Sequence, residues 1–151
     1  MGAEQYKEWV DQYSEKYGIW PPIVWSMIQQ ESGGDPTAVS PAGAQGLMQL
    51  MPETSKELGV EDPMDPQQNI EGGVRYFSGL MDQMGDDVNL ALGAYNSGAR
   101  TVNERYGGAD PRTWRSHPNF GVDWEDQGAF AQEETVKYVE GIHGLVPDYR
   151  T

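Results

Sequence analysis

There is no cysteine in the 151 residues, which excludes disulfide frameworks, thiolate metal sites and cysteine nucleophiles. Histidine is nearly missing too: His117 and His143 stand far apart, so a histidine metal cluster is not encoded. Cations are scarce, with 10 Lys and Arg against 24 Asp and Glu, and the net charge of -14 is scattered along the chain rather than gathered in a tail. Phosphate binding needs a clustered Lys/Arg face, so nucleic acid is a poor partner. No run approaches the roughly 20 apolar residues of a membrane span. The first residues, Met1–Glu4, lack the basic and apolar regions of an export signal. Carboxylates, hydroxyls and amides remain to carry any chemistry.

The chain is long enough for one domain with a buried core. Short amphipathic helices separated by turn residues recur throughout, no stretch alternates with period 2, and the fold class is all-α. Tyr6, Trp9, Val10, Tyr13 and Tyr17 predict a first helix ending at Gly18. Pro21 and Pro22 open a second, Ile23 to Glu31, closed by Gly33 and Gly34. A third runs from Pro52 to Leu58 and stops at Gly59, and a fourth starts at Asp65-Pro66 with Ile70, Val74, Phe77, Leu80 or Met81, and Met84 on its core face. Val88, Ala91, Leu92 and Tyr95 predict a fifth ending at Gly98, and Ala99, Val102 and Tyr106 a sixth. The last runs from Phe130 to about Ile142. The segment Gly107 to Asp126, with Trp114, His117, Phe120 and Trp124, is long and without period, which suggests a functional loop.

One carboxylate stands out. On the second helix Val24, Met27 and Ile28 form an apolar stripe, and Glu31 continues it at i+3 and i+4, so the acid points toward the core. Desolvation there raises a glutamate from about 4.3 toward about 6, and the negative end of the helix dipole acts in the same direction. An arbitrary glutamate in such a place is ordinarily a structural carboxylate tied to an amide or an arginine. Likewise Gly43–Gly46 alone is a turn, and Leu47, Met48, Leu50 and Met51 alone are core.

The order of motifs shifts that reading. Glu31-Ser32 is followed by Ser40, Gly43-Ala44, the run Gly46 to Pro52, Asn69-Ile70 with Gly73, Ala94 to Gly98, and Glu134-Thr135 with Tyr138-Val139. In this the chain resembles the soluble lytic transglycosylase family over residues 18–143. The resemblance implies a lysozyme-like helical fold, of the goose-type lysozyme and transglycosylase kind, with residues 1–151 as a single catalytic domain. It implies cleavage of peptidoglycan glycan strands between N-acetylmuramic acid and N-acetylglucosamine, without metal or organic cofactor. Glu31 matches the family's single acid/base; Ser40, Gln49 and Met51 match positions lining the sugar cleft, with Ser40 on the acetamido group. Tyr95 and Asn96 match the motif facing the glutamate, and Tyr138 a tyrosine closing the cleft. Ser97 departs from the family's more frequent alanine.

In the implied scheme Ser40 and Gln49 position the acetamide, Tyr95 and Tyr138 bring hydrogen bonds near Glu31, and Met48 or Met51 forms an apolar wall limiting water. Most glycosidases need two carboxylates, roughly 5 to 9 Å apart. Here the substrate supplies the second function, and the product is a 1,6-anhydro sugar. A goose-type-lysozyme-like hydrolase would instead need a second carboxylate from Asp35, Asp62, Asp65, Asp86 or Asp87, although turns and caps explain Asp35, Asp62 and Asp65 more simply. A third reading is a non-enzymatic wall-binding or virion domain on the same fold. The protein is expected to be a monomer that acts at the bacterial cell wall, either as a domain of a larger protein or by way of a phage particle.

Overall fold

The computed structural model describes residues 4–97 and 133–145. They are helical, and among them the only β pairing is two isolated antiparallel bridges, Val39 with Gln45 and Gln45 with Leu50. A 3-10 turn, Glu4–Tyr6, leads into α1, Lys7–Tyr17; then follow α2, Pro21–Ser32, α3, Pro52–Leu58, α4, Pro66–Gln83, α5, Val88–Ser97, and α6, Glu133–Leu145. The predicted sixth helix and the 107–126 loop lie outside the described residues, as does the start of the last helix at 130–132. No described helix is long and apolar enough to cross a membrane.

The helix boundaries follow local chemistry. Gly18 at φ 72° lets the chain leave α1 in the left-handed region, and the amides of Gly18 and Ile19 donate back to Glu15 and Ser14 at 3.3 and 2.8 Å, closing the carbonyl end. Gly59 repeats this closure on α3, with Val60 donating to Ser55 at 2.8 Å. The second helix starts at Pro21 rather than at Ile23, because both prolines tolerate the first turn, where an amide hydrogen would have no partner. Asp65 caps α4 through its side chain to the Gln68 amide at 2.9 Å, and Asp87 caps α5 through the Leu90 amide at 3.1 Å.

Two compact units result, 4–78 with 142–145 and 79–97 with 133–141, so that the boundary falls within α4 and within α6. In the first, α1 packs on α2, and the Ser78 hydroxyl donates to the Tyr17 carbonyl at 3.0 Å, tying the end of α1 to α4. Its core contains Val10, Val24, Met27, Ile28, Leu47 and Phe77, all essentially without solvent contact; each buried large side chain contributes roughly 1.5–3 kcal/mol. On α4 the predicted face is buried, with Leu80 rather than Met81 inside. The second unit buries Leu80, Met84, Leu92 and Val139.

Candidate active site

Glu31 occupies the last turn of α2, one turn after the fully buried Met27 and Ile28. Its side chain is half-buried, and no described residue bonds to or ion-pairs with the carboxylate. Burial alone pushes the carboxyl from 4.5 up to about 8. With no cation or amide to favour the charged form, desolvation is unopposed and the group is a neutral acid at pH 7. The shift is larger than the sequence suggested, and its cause is burial. Ser32 closes the helix end beside it: its hydroxyl donates to the Ile28 carbonyl at 3.1 Å and accepts from the Gly34 amide at 3.2 Å.

The segment 38–50 folds back twice. The amides of Gln45 and Leu50 donate to each other's carbonyls at 2.9 and 3.0 Å, and Gly46 donates to the Ala38 carbonyl at 2.9 Å. Ser40 forms the first reversal, where its hydroxyl accepts from the Ala44 amide at 3.0 Å and keeps its own proton to donate. Gln49 stands at φ 52°, an unusual conformation for a residue with a side chain. Its own amide holds it there, Nε2 donating to the carbonyls of Ala38 at 3.0 Å and Gly46 at 2.8 Å. Both donors of Gln49 are thus committed to the turn, and only its Oε1 can face a ligand. Met51, 41% exposed, precedes α3 and offers an apolar surface to solvent. Met48 does not: it has no solvent exposure and packs against Gly73 on α4, so the wall expected from Met48 or Met51 can come only from Met51.

One side chain fastens this segment to α4. Asn69, fully buried, accepts from the Met48 amide at 2.7 Å and donates to the carbonyls of Gln45 at 2.9 Å and Pro63 at 2.7 Å. Gly46, at φ 79°, lies so close to Asn69 and Pro63 that any side chain there would collide with them. The motif that contains Asn69 does not by itself give this residue a task. The available signal was a polar residue next to Ile70 at the start of a helix face that is otherwise apolar.

Tyr95 and Asn96 are half-buried on α5, and Tyr138 is buried on α6, in the second unit. The aspartates considered as a second carboxylate mostly have local tasks. Asp35 is exposed and binds the Thr37 amide and hydroxyl at 2.9 and 2.7 Å, which lowers its carboxyl from the ordinary value. Asp62 accepts from the Met64 amide at 3.0 Å, and Asp65 and Asp87 are the helix caps described above. Asp86 is exposed at φ 62° in the turn before α5.

The chain belongs to the transglycosylase SLT domain family, which matches residues 8–113. It is 38% identical over 122 residues to membrane-bound lytic murein transglycosylase F 1 of Alkalilimnicola ehrlichii, covering 74% of this chain and 25% of the relative. It is 45% identical over 102 residues to a transglycosylase of Enterobacteria phage PRD1, covering 68% of this chain and 38% of that one. The 70-kDa soluble lytic transglycosylase, solved in complex with bulgecin A, matches with a TM-score of 0.75 and 27% identity over 96% of this chain and 24% of that structure. The fold is therefore lysozyme-like and all-α, as expected. The chain spans about a quarter to two fifths of the length of these relatives.

Proposed function

We propose that this chain is a peptidoglycan lytic transglycosylase, a single catalytic domain acting as a monomer on glycan strands between N-acetylmuramic acid and N-acetylglucosamine. The observation that carries the reading is Glu31, an acid held neutral by burial alone near pH 7 at the end of a buried helix face. Glu31 gives its proton to the glycosidic oxygen as the C1–O bond breaks. The carboxylate so formed takes the proton of the muramic sugar's own 6-hydroxyl, whose oxygen closes on C1. Bond and proton balance without water, and the product end is a 1,6-anhydro sugar. Ser40, with a free hydroxyl proton, and the remaining Oε1 of Gln49 are suited to the acetamido group. Met51 supplies the apolar surface, and Tyr95, Asn96 and Tyr138 are the hydrogen-bonding groups that the likeness to the family assigns to the reaction.

A hydrolase would need a second carboxylate to hold a water. The local bonds of Asp35, Asp62, Asp65 and Asp87 weigh against that role. Mass spectrometry of fragments released from purified peptidoglycan separates the cases. Anhydro ends are expected; reducing ends, about 18 Da heavier by one water, would mean hydrolysis. Glu31→Gln should abolish release while keeping affinity for bulgecin A, and cleavage by that variant would remove Glu31 from the mechanism.

A further inference from the structure

The chain has seven methionines and no cysteine, so the thioether is the only sulfur group in it that an oxidant can reach for two electrons. The described methionines differ sharply in access. Met27, Met48 and Met84 have no solvent exposure, and Met64 and Met81 are half-buried. Among them only Met51 is exposed, at 41%.

The backbone of Met51 is held on both sides. Before it, Leu50 is buried and exchanges both of its backbone bonds with Gln45. After it, Pro52 opens α3, and the Met51 carbonyl accepts from the Ser55 amide at 2.9 Å. The Met51 side chain therefore meets solvent in the folded state, with no opening needed. An oxidant reaches Met27, Met48 or Met84 only when the core around them opens, which slows their reaction by the rarity of that opening.

We infer that Met51 is a reversible oxidation site, at which hydrogen peroxide converts the thioether to a sulfoxide and thereby weakens the hold on the glycan. The sulfur lone pair attacks one peroxide oxygen and the O–O bond breaks. The proton on the transferred oxygen passes to the departing hydroxide, which leaves as water. Sulfur loses two electrons and the peroxide gains them. The effect on cleavage rests on the function proposed above, in which Met51 is the apolar surface. A sulfoxide there is polar and holds water where an apolar sugar face would otherwise lie. Because the core methionines are spared, the fold is left intact.

The test is brief treatment of the folded chain with hydrogen peroxide, then proteolysis and mass spectrometry, with fragment ions separating Met48 from Met51. Met51 should gain one oxygen, about 16 Da, at least about tenfold faster than Met27, Met48 and Met84. Release of fragments from peptidoglycan should fall by roughly fivefold, which corresponds to losing about 40 Å² of apolar contact, and should recover with methionine sulfoxide reductase. Whatever its starting rate, Met51→Leu should release fragments equally before and after peroxide. Oxidation of Met51 no faster than that of the buried methionines would overturn the site, and the mapping gives this result even if the untreated chain releases nothing and the proposed function fails. An unchanged rate for chain oxidised at Met51, or a Met51→Leu variant as sensitive to peroxide as the parent, would overturn its effect on cleavage.

Discussion

Replacing Glu31 by glutamine should stabilise the protein, and by an amount that grows with pH. In the unfolded chain this carboxyl ionises near its ordinary 4.5, whereas in the fold it does so only at about 8. Between those values the folded state keeps a proton that the unfolded state has released, so stability falls as pH rises through the window and levels off above it. At about 1.36 kcal/mol per pH unit, the deficit is below about 1 kcal/mol at pH 5 and about 3 kcal/mol at pH 7. Glutamine has nearly the same shape and nothing to ionise, so its own burial cost does not change with pH. The stability difference between E31Q and the parent should therefore widen by about 2.5 kcal/mol from pH 5 to pH 7. For a chain of this length that is about 5 to 10 °C in Tm. Calorimetry at pH 5, 6, 7 and 8 and constant ionic strength reads it directly, with urea unfolding to check that the m-value is unchanged. A Tm gap that stays constant across this range would refute the reasoning, because the carboxylate would then be solvated or paired in the fold.

If the proposed mechanism holds, the same acid shapes the rate profile: kcat/KM on peptidoglycan should fall as pH rises through about 8, where Glu31 loses the proton that the mechanism has it donate. A fall centred near 4.5 would show an ordinary exposed carboxyl instead. Asn69→Ala strips partners from the Met48 amide and the Gln45 and Pro63 carbonyls, and at about 1–3 kcal/mol per buried group left unpaired it should cost about 3 kcal/mol or more. Urea midpoints measure this, and a loss under about 1 kcal/mol would show that the 45–50 turn holds itself.

What could be read from the sequence was what neighbouring residues decide. Gly18 and Gly59, the prolines of α2 and the Asp65 cap act within a few positions of themselves, and they fixed the helix ends closely. The inward direction of Glu31 was likewise legible, since Met27 and Ile28 lie within one turn of it. Met48, Gln49 and Asn69 were not legible in this way. Whether Met48 faces a sugar or the core depends on Gly73, twenty-five residues on, and Asn69 reaches back 21 and 24 residues to its partners. The Gln49 donors are taken by Ala38 and Gly46, a closure that exists only once the segment has doubled back.

Gly72 and Gly73 stand side by side within the 18 residues of α4, where each costs roughly 1 kcal/mol relative to alanine. They are where Leu50 and Met48 come to rest on the helix backbone, with Asn69 bonding the Met48 amide one turn earlier. A loop seated in this way has no opening event of its own: the Met48 amide can exchange its hydrogen with solvent only when its bond to α4 breaks. Residues 45–50 then move with the scaffold, and any ligand arriving there meets a surface already in its final form.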